Sequence, residues 1–201
     1  MASWLHDERL GAVVAAIRSC GARRVLDLGC GDGDLVMRLA DEPGIARIVG
    51  IDLSRPALDR LRARLADTDR QGAEIDLIEG SVTEAGATLA GFDCAALVEV
   101  IEHIDPAHLS RLETAVFAAM RPGVVIVTTP NAEFNPLLGV PPARFRHPGH
   151  RFEWGRARFR RWGAGVAGRH GYDVSYADIG GRHPDLGGAS QMAVFRRKPP
   201  G

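Results

Sequence analysis

The chain has 201 residues, the length of one ordinary domain, with 45% hydrophobic residues and a formal net charge of zero. Its mean hydropathy of -0.07, the lack of any apolar run near the ~18 residues of a membrane span, and an N-terminus without a secretory apolar stretch predict a protein with no membrane role. Cys20, Cys30 and Cys94 are odd in number and not spaced as metal-binding pairs, which predicts reduced thiols and a cytoplasmic location. The zero net charge hides an asymmetry: residues 1–142 carry a net −8 and residues 143–201 a net +8. A basic C-terminal third suits a polyanionic partner. Plain solvation of helix faces by arginine, 24 of the 25 basic residues, is the alternative.

In chain order, the pattern predicts helix 5–19, strand 24–29, helix 35–41, strand 47–52, helix 54–67, strand 75–81, strand 94–99, helix 107–120, strand 124–129, helix 156–170, strand 173–177 and strand 191–197. Within 54–67, Leu58, Leu61 and Leu65 recur on one helical stripe, Ser54 is a fair N-cap, and Pro56 falls in the first turn, where its missing N–H costs nothing. Alternating strands and helices predict an α/β domain spanning 1–201, with a mostly parallel sheet covered on both faces. Residues 178–189 are rich in Gly and Pro and show no crossover helix, so the last two strands are expected to form an antiparallel hairpin. Residues 130–151 have no clear periodicity, and loops of that length are usually functional or disordered.

The first strand runs into Gly29-Cys30-Gly31-Asp32-Gly33, where glycines permit a sharp turn and close approach of a ligand. The spacing is G-x-G-x-G after Asp27, and a carboxylate there suits the cationic end of a ligand rather than a pyrophosphate. Asp52 ends the second strand, placed to accept hydrogen bonds from two ribose hydroxyls. Gly80-Ser81-Val82 follows the third strand, where an adenine edge would lie. The runs D-L-G-C-G-D-G, G-I-D-L-S and E-G-S-V resemble the successive motifs of class I methyltransferases. That resemblance implies a Rossmann-like, seven-stranded, mostly parallel sheet with a C-terminal antiparallel hairpin. It also implies S-adenosylmethionine as cofactor, with Asp27, Gly29 and Gly31 at the methionine portion, Asp52 and Leu53 at the ribose, and Ser81 and Val82 beside the adenine.

After the fourth strand comes Glu99-Val100-Ile101-Glu102-His103. If a helical turn begins here, two carboxylates and an imidazole share one face, a set suited to a divalent cation, although small-molecule methyltransferases carry a similar run without a metal. Further along stand Thr128-Thr129-Pro130-Asn131-Ala132-Glu133-Phe134-Asn135, His150-Arg151-Phe152-Glu153-Trp154 and Gln191-Met192-Ala193-Val194-Phe195. Together with the leading Leu5-His6-Asp7-Glu8-Arg9-Leu10, these resemble the RNA 3′-terminal ribose 2′-O-methyltransferases, which act on small RNAs or, in bacteria, in RNA repair. By that resemblance Glu99, Glu102, His103 and His150 bind a divalent metal (Mg or Mn) and form the catalytic set. His147 is the less favoured ligand, lying one turn earlier.

Two positions depart from the family pattern. Gly149 stands where an acidic residue often precedes the histidine, so support for that imidazole must come from elsewhere. Gly155-Arg156-Ala157-Arg158-Phe159 lacks both partners of the usual capping box and leaves Arg156, Arg158, Arg160 and Arg161 as candidate phosphate contacts. The resemblance implies metal-dependent methyl transfer to the 2′-hydroxyl of an RNA 3′ end, with an RNA-repair protein as a possible partner. The rivals are a small-molecule O-methyltransferase with no catalytic metal and a non-enzymatic cofactor-binding domain within a repair complex.

Overall fold

The computed structural model describes residues 3–67 and 72–199. Seven strands form one sheet in the order β3-β2-β1-β4-β5-β7-β6: β1 (Arg24–Leu28), β2 (Arg47–Asp52), β3 (Glu74–Glu79), β4 (Cys94–Val98), β5 (Val124–Pro130), β6 (Tyr172–Ile179) and β7 (Ser190–Arg197). The first five run parallel, while β7 lies antiparallel between β5 and β6. The expected hairpin is therefore present, and its second strand is the one that inserts into the sheet.

Side chains alternate between the two faces, as the pleat requires. Val25, Ile48, Cys94 and Ile126 pack with α1 (Ser3–Ser19), α2 (Asp34–Ala40) and α3 (Arg55–Ala66). Leu26, Val49, Leu97 and Val127 pack with α4 (Val82–Ala85), α5 (Leu109–Glu113) and α6 (Arg156–His170). In α3 the Ser54 hydroxyl accepts from the Ala57 N–H, Leu58 and Leu61 are buried, and Leu65 packs against that core.

The helix expected over 107–120 is three segments instead. A 3-10 turn at Pro106–His108 leads into α5, and a π-helix over Thr114–Met120 follows. Arg121, with φ of 48°, closes that end before Pro122. Because β1 to β5 are parallel, their C-terminal ends share one edge, and a crevice opens there where the strand order reverses between β1 and β4.

Candidate active site

A cleft of about 370 Å³ lies at that edge, lined by Gly29, Asp52, Leu53, Gly80, Ser81, Val82, Thr83, Glu99, Val100, His103 and Ile104. Five of the seven residues expected at the cofactor, Gly29, Asp52, Leu53, Ser81 and Val82, are thus on its wall. Gly29 has φ of +85°, and a Cβ there would stand 2.6 Å from Val100 Cγ2, so only glycine lets the loop lie this close to the β4 end. Asp52 is held rigidly: its Oδ2 accepts from the Gly31 N–H and its Oδ1 from the Ser54 N–H, each at 2.8 Å. Each oxygen keeps a second lone pair for a hydroxyl donor. Gly31 contributes its backbone to that bracing rather than to the wall.

Asp27 sits beneath the wall, 2% exposed, and its Oδ2 has no hydrogen-bond partner among the described residues. Burial, and then the charge of Asp52, pushes its carboxyl up to about 7. A buried carboxylate oxygen left unpaired beside a cleft is what a cationic ammonium group would complete, so these residues fit the methionine end of S-adenosylmethionine. Thr83, Val100 and Ile104 are wall residues that the motifs did not single out.

At the far end of the cleft the chain turns sharply after β4. Glu99 has φ of 56°, in the left-handed region, and its N–H donates to the Thr128 carbonyl and to Thr128 Oγ1. The helical turn accordingly begins after Glu99, as a 3-10 turn over Ile101–His103. Thr128 Oγ1 donates to Glu99 Oε1 at 3.1 Å, and Arg9 Nε lies 3.2 Å from the same oxygen. Glu102 is fully buried; its Oε2 accepts from Thr129 Oγ1 at 3.0 Å, and its Oε1 has no partner among the described residues. Burial raises both carboxyls, opposed at Glu99 by Arg9 and reinforced at Glu102 by Glu99.

The loop after β5 brings histidines to the same place. His103, His147 and His150 have ring nitrogens within 4.8 Å of one another. The rings of His103 and His150 lie 4.8 Å apart between centroids. Burial lowers the His103 pKa, with the neighbouring His150 adding to the effect, which keeps the ring neutral. His150 is 7% exposed at its side chain, and its Nδ1 lies 2.6 Å from Oε1 of Glu153, itself 1% exposed. That bond leaves the His150 Nε2 bare, and Glu153 supplies the support that Gly149 does not. The loop is tied to the turn through the Arg151 N–H on the Glu102 carbonyl at 2.7 Å. The ligand atoms that cluster are those of the three histidines; with Glu99 on the same cleft wall as His103, the donors available are the mixed nitrogen and oxygen kind that suits a divalent cation.

Arg9, Thr128, Thr129 and Glu153 lay inside the quoted motifs and Arg146 in the aperiodic stretch 130–151, yet their roles depend on contacts distant in sequence. The Arg146 guanidinium donates to Asn135 Oδ1 and to the carbonyls of Asn131 and Ala189, stapling the loop to the sheet edge. At α6 the missing capping box is replaced from outside, since Glu133 Oε1 accepts from the Arg156 N–H at 2.7 Å.

A family model described as a methyltransferase domain matches residues 25–123. A small RNA 2′-O-methyltransferase of Gallus gallus is 33% identical over 207 residues, covering 98% of this chain and 54% of that protein. Its Rattus norvegicus counterpart is 36% identical over 206 residues, covering 96% of this chain and 51% of that protein. The chain thus spans about half the length of these curated relatives. The crystal structure of the methyltransferase domain of bacterial CtHen1 is 37% identical with a TM-score of 0.85, covering 96% of this chain and 99% of that one. Identity at that level over the whole of both domains, on the same seven-stranded sheet, means that the chain belongs to the family of the bacterial Hen1 methyltransferase domain.

Proposed function

We propose that this chain transfers the methyl group of S-adenosylmethionine to the 2′-hydroxyl of the 3′-terminal nucleotide of RNA, using a divalent ion held by Glu99, Glu102, His103 and His150. The observation that carries the reading is the placement of Glu99 and His103 on the wall of the cofactor cleft, with His150 against His103. The cofactor supplies an electrophilic sulfonium methyl. An ion held by these residues would supply a Lewis acid to the terminal ribose, lowering the pKa of the attacking hydroxyl.

The remaining work belongs to the chain. Asp52, with both oxygens fixed by backbone N–H groups, orients the cofactor ribose. Asp27 offers a desolvated carboxylate to the cofactor ammonium. Thr128 and Arg9 hold Glu99, Thr129 holds Glu102, and Glu153 fixes the tautomer of His150. Each of these groups is oriented before a substrate arrives, so little reorganisation is spent at the moment of reaction. The names of the vertebrate relatives and the basic C-terminal third support RNA as substrate. The sequence resemblance adds a repair protein as the candidate partner.

The test uses four oligonucleotides that differ only at the 3′ end, in single-turnover methylation with and without a chelator. The unmodified end is expected to react only without chelator. The 2′-deoxy, 3′-deoxy and 3′-phosphate ends are expected to lose most or all activity. Full activity on the 3′-deoxy RNA would overturn the role of the vicinal pair, and activity in chelator would overturn the metal.

A further inference from the structure

The three clustered imidazoles are not equivalent, and their hydrogen bonds distinguish them. A backbone carbonyl only accepts, so His103 Nδ1, at 3.2 Å from the Gly149 oxygen, carries the proton and leaves its Nε2 bare. His150 Nδ1 donates to Glu153, with the same result. His147 is reversed. Its Nδ1 accepts the Gly149 N–H at 3.0 Å, and a backbone N–H only donates, so the proton of the neutral ring sits on Nε2. One ring nitrogen of His147 is engaged and the other bears hydrogen. It presents a donor rather than a lone pair.

Gly149 makes this arrangement possible. A Cβ at that position would stand 3.0 Å from His147 Nδ1 and 3.2 Å from His103 Nδ1, tighter than side chains ordinarily tolerate. The exposed segment around the donor is basic, while the carboxyls of Glu153 and Glu99 act on the neighbouring His150. Residues 134–152 contain no Asp or Glu and carry Arg144, Arg146 and Arg151. Arg146 is spent on its staple, whereas Arg144 and Arg151 are exposed and make no ion pair among the described residues. His147, between them in the chain, is also exposed.

We infer that His147 is a substrate-positioning residue whose Nε2–H donates to the phosphodiester joining the last two nucleotides of the RNA, with Arg144 and Arg151 supplying the attractive field. The inference rests on the RNA-end reading above. With the terminal ribose against His103 and His150, the anionic acceptor nearest the third ring is the phosphate on that ribose's 5′ side, because a free 3′ end has none on the other.

The experiment compares the wild-type chain with His147→Ala, His147→Gln and His150→Ala, with thermal melting as a folding control. Mn(II) binding is followed by electron paramagnetic resonance. Binding of a 5′-labelled RNA, in the presence of Mn(II) and S-adenosylhomocysteine, is measured with the last linkage either a phosphodiester or a neutral methylphosphonate. His147→Ala is expected to keep Mn(II) affinity within about twofold, while His150→Ala loses at least about tenfold. His147→Ala is expected to bind the phosphodiester RNA about tenfold more weakly, with partial recovery in His147→Gln, which restores an N–H donor. The methylphosphonate penalty seen in the wild type should shrink about threefold or more in His147→Ala. Loss of Mn(II) in His147→Ala would make it a ligand and overturn the inference, as would equal methylphosphonate penalties in wild type and variant. A wild-type chain that binds no Mn(II), or no RNA, would instead fail the underlying functional reading.

Discussion

In the proposed cofactor site, Asp27 sets cofactor binding against stability. Its carboxyl ionises near 7 in the fold and near 3.8 in an unfolded chain. Between those values unfolding releases a proton, so this group's contribution to stability falls as pH rises from about 4 to about 7 and is flat above. The full cost is on the order of 4 kcal/mol. A cofactor ammonium pairs with the ionised form, so S-adenosylmethionine affinity is expected to climb with pH from 5 to about 7 and then level off. In Asp27→Asn that slope should vanish and affinity should drop, while the ligand-free variant melts higher than the wild type at pH 8. Calorimetric titration and melting curves across pH check both halves, and a pH-independent affinity in the wild type would refute the account. Glu153 offers a parallel test on the metal side. Glu153→Ala is expected to weaken Mn(II) binding by at least about tenfold, and Glu153→Gln, which keeps an acceptor for His150 Nδ1, to retain most of it.

Among the elements, the segment from Pro106 to Met120 shows how local sequence and packing divide the decision. Its apolar spacing was enough to place a helix against the sheet, and Leu109, Leu112, Val116 and Phe117 are buried as that spacing requires. The change to i→i+5 bonding, as in the Arg121 N–H on the Val116 carbonyl at 2.9 Å, has no signature in the residues themselves. Arg121 then sits in left-handed backbone, a conformation glycine adopts without cost. Arg121→Gly is expected to stabilise the chain by about 0.5–1 kcal/mol, or about 1–4 °C in Tm. The Arg121 carbonyl that accepts from Arg197 is unaffected by the substitution. A lower Tm would mean that the Arg121 side chain matters more than its backbone. At α6 the capping box is missing, and the Glu133 carboxylate supplied from another segment caps the start in its place.

Across the whole molecule, the basic third places its loop beside the cleft and its helix, with Arg158, Arg160 and Arg161 exposed, on the following segment. RNA affinity is expected to fall steeply between 50 and 200 mM salt. Replacing Arg158 and Arg161 by Ala should reduce the slope of log affinity against log salt by about 1.4, without altering the demand for a free 3′ end. An unchanged slope would remove those arginines from the RNA path.

The amino-acid sequence is enough for the order of strands and helices, the α3 stripe, and Asp27 and Asp52 on consecutive strands. These are set by local periodicity, by turn chemistry, and by motifs whose residues are neighbours in the chain. It also contained His147, Glu153, Arg9 and Thr129, but not what each does. Only the tertiary structure brought Arg9 to Glu99, Thr129 to Glu102 and Glu133 to the start of α6. Only the folded loop set Gly149 between two histidine rings, its carbonyl toward one and its N–H toward the other. A histidine's proton goes where its partners send it, and those partners are fixed by the fold of the loop rather than by the residue's own identity.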